Sequence, residues 1–217
     1  MTKPKLLDLY CCAGGATKGY QRAGFYVVGV DINEQPNYCG DEFIQGDALE
    51  YLCEHWQEYD VIHASPPCQG YSVTRTLHTN EYPDLLPVTR ALLRFIGKPY
   101  IIENVPGAPM RDYIWLNGLM FGLKVIRRRH FESNILLLQP SPPKKTGRTS
   151  GNGKAYSTFD DGDYITVAGH NFRFTDGQKA MGIDWMKTQH ELAESIPPAF
   201  TEYLGRQMIR AVVPVAV

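Results

Sequence analysis

The chain has 217 residues, 43% of them apolar and 21% charged, with a formal net charge of -1. That size buries one well-cored domain, and the composition excludes a disordered chain or one that coats nucleic acid indiscriminately, although a local basic cleft stays open. No apolar run could span a bilayer, and the N-terminal "MTKPKLLDLYCC" lacks a signal peptide's apolar stretch, so a cytoplasmic protein without membrane partners is expected.

Along the chain, "KLLDLY" (5–10) reads as a strand that stops at a glycine turn, "CCAGGATKGY", which opens a helix. "YVVGVDI" (26–32) is a second apolar run ending on an acid, and "EFIQGDA" a short third strand with a turn. "ALEYLCEHWQEY" has helical spacing, "DVIHAS" (60–65) is a fourth strand, "LLPVTRALLRFIG" a helix and "PYIIENV" (99–105) a fifth strand. "RRRHFESNILLLQ" then predicts one or two further strands, antiparallel to their neighbours. The proline-, glycine- and lysine-rich stretch after it reads as a mobile basic loop, and the remainder is helical, with Pro197 and Pro198 where a last helix begins. Alternating strands and helices predict an α/β fold, a mostly parallel sheet flanked by helices. The expected organisation is a core over 1–138, the basic loop over 139–172 and a helical part over 173–217 that completes the core.

The five cysteines lack paired C-x-x-C spacing, which predicts free thiols and no structural metal. Ligands of an open parallel sheet sit at the carboxyl ends of its strands. The glycine turn, Asp31, Asp47, "SPPC" and "ENV" all fall at such ends. "DLYCCAGGATKGY" is not a G-x-G-x-x-G fingerprint, yet Gly14 and Gly15 allow a ligand to approach the backbone. Asp31 is placed for ribose hydroxyls and Asp47 for an adenine amino group. Adenosine without a phosphate fits this set and points to S-adenosylmethionine as cofactor. The bland alternative is a tight turn with two solvated or capping aspartates.

The proline pair before Cys68 stiffens its loop and removes two N–H donors. An aromatic residue there would stack on a base. A cysteine cannot stack but can attack. Carbon 5 of cytosine is a poor nucleophile until a thiolate adds to carbon 6, and protonation of ring N3 helps that addition. Glu103, ending the adjacent strand, is the candidate acid. Against this stand a buried structural thiol and a capping or salt-bridged acid.

At these residues the chain resembles the cytosine C5-specific DNA methyltransferase family. "DLYCCAGGATKGYQRAGF", "VVGVDI", "QGDA", "SPPCQGYS", "ENV" and "IRRRHF" match its successive motifs in order, and "DGQKAMGIDWM" and "AESIPPAFTEYLGRQM" resemble shortened versions of its last two. The resemblance implies a Rossmann-like class I S-adenosylmethionine-dependent methyltransferase fold. It implies catalytic roles for Cys68, Glu103 and Arg129. Cofactor contacts would come from Tyr10, Ala13, Gly14, Gly15, Asp31, Ile32, Asp47, Ala48, Pro66 and Ser195. Nucleic-acid contacts would come from Gln69, Ser72, Arg127, Lys144, Lys145 and Arg148. Cys12 stands where the family has a glycine, Asp31 where glutamate is commoner, and Glu194-Ser195 replaces Gly-Asn.

The slot that holds a target-recognition domain in the family's sequence readers holds only the basic loop and its flanks, which predicts a loose or very short sequence preference. The expected partner is DNA, single-stranded or a duplex with its cytosine flipped out. RNA or a free cytosine nucleotide as substrate, and a non-catalytic nucleic-acid-binding partner subunit, are the alternatives. A homodimer and a separate specificity subunit both stay open, and a phage-encoded chain would work in its host's cytoplasm.

Overall fold

The structure, a computed structural model, describes residues 2–67, 84–150 and 156–212. Seven strands, β1 (Lys5–Leu9), β2 (Tyr26–Asp31), β3 (Glu42–Gln45), β4 (Val61–Ala64), β5 (Tyr100–Asn104), β6 (Ile114–Asn117) and β7 (Arg128–Ser133), form one sheet in the order β3-β2-β1-β4-β5-β7-β6. β1 to β5 run parallel, and β7 lies antiparallel to both β5 and β6. The inner strands are apolar on both faces because helices cover both. Helices α1 (Gly15–Ala23) and α6 (Pro198–Val212) bury Leu6, Val27, Val61 and Ile101 on one side. On the other side α2 (Ala48–His55) and α3 (Leu86–Ile96) bury Leu7, Val28, Ile62 and Ile102. A third cluster, with Val125, Ile165, Phe172 and Met181, gathers around α4 (Phe174–Met181) and α5 (Gln189–Glu194).

Local chemistry sets the element ends. Asp47 caps α2 by accepting the N–H groups of Leu49 and Glu50. Thr188 and Glu191 form a reciprocal capping box on α5. Pro198 opens α6, as the sequence suggests. Gly19 of α1 lies so close to α6 that a Cβ there would collide with the Pro198 carbonyl and the Thr201 hydroxyl, and that hydroxyl donates to the Ala16 carbonyl at 2.7 Å.

Of the one or two strands expected in "RRRHFESNILLLQ" one forms, β7, antiparallel as expected. Its edge-side partner β6 lies upstream, where the sequence predicts no strand. Leu136 and Leu138 of the "ILLLQ" run are 86% and 63% exposed, because β6 already occupies the edge of the sheet. The basic segment is anchored at Arg148 and Ser150. The Arg148 carbonyl accepts from the N–H groups of Asp163 and Tyr164, and Ser150 donates to the Tyr164 carbonyl at 2.7 Å.

Candidate active site

At the end of β1 the chain turns through two left-handed non-glycine residues, Tyr10 (φ 61) and Cys12 (φ 45), before Gly14 (φ 86) opens α1. A left-handed position favours glycine by roughly 1 kcal/mol, which accounts for the glycine that the resembled family carries at the place of Cys12. The turn is held onto β2 by Asp31, whose Oδ2 accepts the Cys12 N–H at 3.0 Å and whose Oδ1 accepts the Asn33 N–H at 2.9 Å. Each oxygen keeps a lone pair for a further donor. Beside it Ile32 is 64% exposed, an apolar surface at the strand end. The β2–β3 register pairs Asp31 with Gln45, which brings Asp47 close, and Asp47 uses Oδ1 for both capping bonds. Two carboxylates flanking an exposed apolar side chain fit a ribose, an adenine face and an adenine amino group. Tyr10 walls this rim: its hydroxyl meets Thr89 Oγ1 at 3.0 Å, and burial pushes the phenol up to about 12.

Several expected contacts take a different form. A Cβ at Gly14 would come within 2.8 Å of Cys39 Sγ, and one at Gly15 within 2.8 Å of the Ser195 Cβ and the Ile196 carbonyl. The Cβ-side faces of these glycines receive the protein's own atoms, so a side chain at either position would disturb the packing of the turn. Ala13 and Ala48 are buried, and the Ala13 carbonyl accepts the Trp185 indole N–H. The Ser195 hydroxyl is turned to the Leu192 carbonyl at 3.0 Å. Buried Pro66 has its carbonyl taken by the Asn104 side-chain amide at 3.1 Å, which fixes the direction in which the proline loop leaves β4. Asn104 gave no sign of this clamp in the sequence beyond its place in "ENV".

Under the turn, Asp8 is fully buried and accepts the Thr17 hydroxyl at 2.5 Å; burial pushes its carboxyl up to about 7.

The second half of the rim is built by β4, β5 and β7. Glu103 ends β5 at 7% exposure, and antiparallel pairing sets it opposite Phe131, with Arg129 two residues along the same face. Arg129 Nε lies 3.0 Å from Glu103 Oε1, an ion-pair distance, yet Oε1 has no hydrogen-bond partner among the described residues. Burial raises the Glu103 carboxyl, while Arg129, Arg127 and a hydrogen bond from the Ser65 side chain oppose that rise. The result is a buried carboxyl, raised by its burial and held against the Arg129 guanidinium through Oε1.

Arg127 is corrected here. It is 5% exposed, its guanidinium donating to the carbonyls of Val167 and Ala193, so it pins the segments beside α5 and does not face phosphates. Arg128 is the exposed guanidinium of that run, stacked 4.4 Å from the Trp115 ring centre. Lys144, Lys145 and Arg148 are exposed, Lys145 lying 6.0 Å from the Tyr164 ring centre. Cys68, Gln69 and Ser72 lie outside the described residues. Among the described residues no group of three or more His, Cys, Asp or Glu side chains could hold a metal ion, and no helix is long and apolar enough to cross a membrane.

No family model matches the chain. Curated relatives do. The type II methyltransferase M.XorII of Xanthomonas oryzae pv. oryzae is 26% identical over 193 residues, covering 69% of this chain and 45% of that protein. M.AplI of Arthrospira platensis is 26% identical over 217 residues, covering 93% and 58%. M.FnuDI of Fusobacterium nucleatum is 31% identical over 114 residues, covering 48% and 33%. The chain thus spans about half the length of the curated relatives it matches. Among solved structures, a DNA modification methyltransferase encoded within an E. coli prophage superposes with a TM-score of 0.63 at 16% identity, covering 96% of this chain and 99% of that one. The S. pombe Dnmt2 methyltransferase superposes with a TM-score of 0.65 at 13% identity, covering 97% and 99%. These likenesses establish the Rossmann-like methyltransferase fold expected from the alternating elements.

Proposed function

We propose that this chain, a relative of the type II methyltransferases built on the S-adenosylmethionine-dependent methyltransferase fold, methylates carbon 5 of cytosine in DNA through a covalent cysteine adduct. The observation that carries the proposal is the buried Glu103–Arg129 pair at the end of β5, an acid whose hold on its proton is raised by burial. It stands beside β4, which delivers the chain to the Pro-Pro-Cys68 loop.

In this reading the Cys68 thiolate adds to carbon 6 of a flipped cytosine while Glu103 gives its proton to ring N3, so carbon 5 becomes an enamine carbon. S-adenosylmethionine, when bound, supplies the electrophilic methyl group that carbon 5 takes. Asp31 holds the ribose, Asp47 the adenine amino group, and Ile32 covers the adenine face. Arg129 orients the Glu103 carboxyl and polarises the base. A base, water or an ionised side chain, then takes the carbon 5 proton, and the bond to Cys68 breaks with its electrons returning to sulfur. The N3 proton goes back to the Glu103 carboxylate, so the aromatic ring, the thiolate and the acid are restored. A buried acid with a raised affinity for its proton suits the N3 role better than a solvated one.

Lys144, Lys145, Arg148 and Arg128 are the cations for the phosphate backbone, and binding falls steeply with salt. With Arg148 and Ser150 bonded back to Asp163 and Tyr164, few side chains among the described residues of this segment are left to read base edges, so many cytosine contexts serve. The test is nucleoside mass measurement after incubation with labelled S-adenosylmethionine and, separately, duplex DNA, RNA or a cytosine nucleotide. The expected product is 5-methylcytosine in DNA, absent with Cys68→Ser. Methyl on an exocyclic amine, or turnover retained in Cys68→Ser, overturns the proposal.

A further inference from the structure

A polar chain runs from the core to Glu103. The Tyr20 hydroxyl on α1 meets His63 Nδ1 at 2.9 Å, His63 Nε2 meets Ser65 Oγ at 2.9 Å, and the Ser65 hydroxyl lies within hydrogen-bonding reach of the Glu103 carboxyl. Tyr20 and His63 are both wholly buried. Polar side chains strung through an apolar layer are costly unless they are partnered, and the Tyr20–His63 and His63–Ser65 links are both made, with Ser65 standing next to Glu103. The motifs that match known relatives include neither Tyr20 nor His63 as a working residue, and nothing in the proposed chemistry uses them.

Resting on the reading of Glu103 as the proton donor, we propose that Tyr20, His63 and Ser65 are positioning residues that match Glu103 in both of its protonation states. A neutral imidazole has one donor and one acceptor nitrogen, so the chain can run in either direction. With Tyr20 donating to Nδ1, Nε2–H donates to Ser65, and Ser65 presents its proton to a Glu103 carboxylate. With the imidazole proton on Nδ1, Ser65 donates to Nε2 and offers its oxygen to a Glu103 carboxylic acid. The imidazole stays neutral throughout: burial lowers its pKa to about 3. A carboxyl that must give a proton and recover it then keeps a hydrogen-bond partner before and after. The other groups that face it are Arg129 on β7 and Arg127 just before it, with the Asp8 carboxyl on β1 within electrostatic range.

The experiment is a carbon-13 NMR titration of the Glu103 carboxyl in the full chain, its resonance assigned by its loss in Glu103→Gln. Ser65→Ala removes the donor to the carboxylate, so the Glu103 midpoint rises by about one pH unit. Ser65→Thr keeps the hydroxyl and the midpoint. Tyr20→Phe, which deletes one buried hydroxyl and no volume, moves the midpoint in the same direction by less. Nitrogen-15 shifts of His63 report a change of tautomer as Glu103 titrates in the parent chain. An unmoved midpoint in Ser65→Ala, an equal shift in Ser65→Thr, or a His63 tautomer indifferent to Glu103 overturns the proposal. Its failure is separable from that of the methyl-transfer reading, which falls instead if Glu103→Gln retains full methyl transfer.

Discussion

The two halves of the sheet's carboxyl rim are built on different logic. On the β1–β2–β3 side, Asp31 and Asp47 are each tied down by backbone N–H groups within a few residues of a strand end, and the glycines between them are filled by the chain's own atoms. On the β4–β5–β7 side, Glu103 is buried against an arginine brought from an antiparallel strand, and its Oε1 meets that arginine without a well-formed hydrogen bond among the described residues. The first half is fixed in shape and charge before any ligand arrives. The second depends on a buried ion pair between strands. The difference teaches that one rim combines acids held by saturated local geometry with an acid held by a contact across the sheet. Under the proposed reading the first suits a cofactor and the second a proton transfer.

Breaking the ion-paired half has the largest effect. Glu103→Gln keeps the shape and removes the transferable proton, so kcat falls by about 10²–10⁴-fold while the apparent KM for S-adenosylmethionine is little changed, as steady-state methylation assays would report. On the saturated half, Asp31→Ala loses a charged acceptor and leaves the Cys12 N–H unpaired. Cofactor affinity measured by calorimetry drops by roughly 10–100-fold, with some loss of thermal stability.

Asp8 lies beneath both halves and sharpens the comparison through pH. Its carboxyl is raised by burial to about 7 in the folded chain, against an ordinary value near 3.8, so the folded state binds the extra proton between those values. Stability contributed by the protonated form is full below about 3.8 and declines as pH rises to about 7. Asp8→Asn does not titrate, so the advantage of the variant over the parent in urea denaturation grows over that window, on the order of a few kcal/mol. A gap that shrinks with rising pH would contradict the sign. The smallest effect is at the surface: replacing Lys144 and Lys145 with alanine lowers the slope of log affinity against log salt by about two for duplex DNA, with kcat at saturation unchanged.

The parallel half of the fold is legible in the sequence because each strand there is a continuous apolar run ended by a turn, and its site residues sit next to those ends. β6 is not legible. "IWLN" is a half-exposed edge strand among polar and glycine neighbours. The louder apolar run after β7 puts Leu137 into the core but leaves Leu136 and Leu138 exposed without joining the sheet. Glu103 and Arg129 could be picked out as residue types, but not their contact, which depends on a register between strands. Arg127 shows the same limit from the other direction: three consecutive arginines look alike in sequence, and only the pleat decides which is buried. The Tyr20–His63–Ser65 chain is invisible for the same reason, since its links cross from α1 to β4 to β5 through space.

The embrace of α1 by α6 has a consequence for biosynthesis. The turn at Gly15 leans on Ser195 and Ile196, and Gly19 on the opening of α6, so a loop and its backing are about 180 residues apart in sequence. A polypeptide synthesised as far as β5 would therefore carry β1, β2 and their acids without the residues that brace the turn between them.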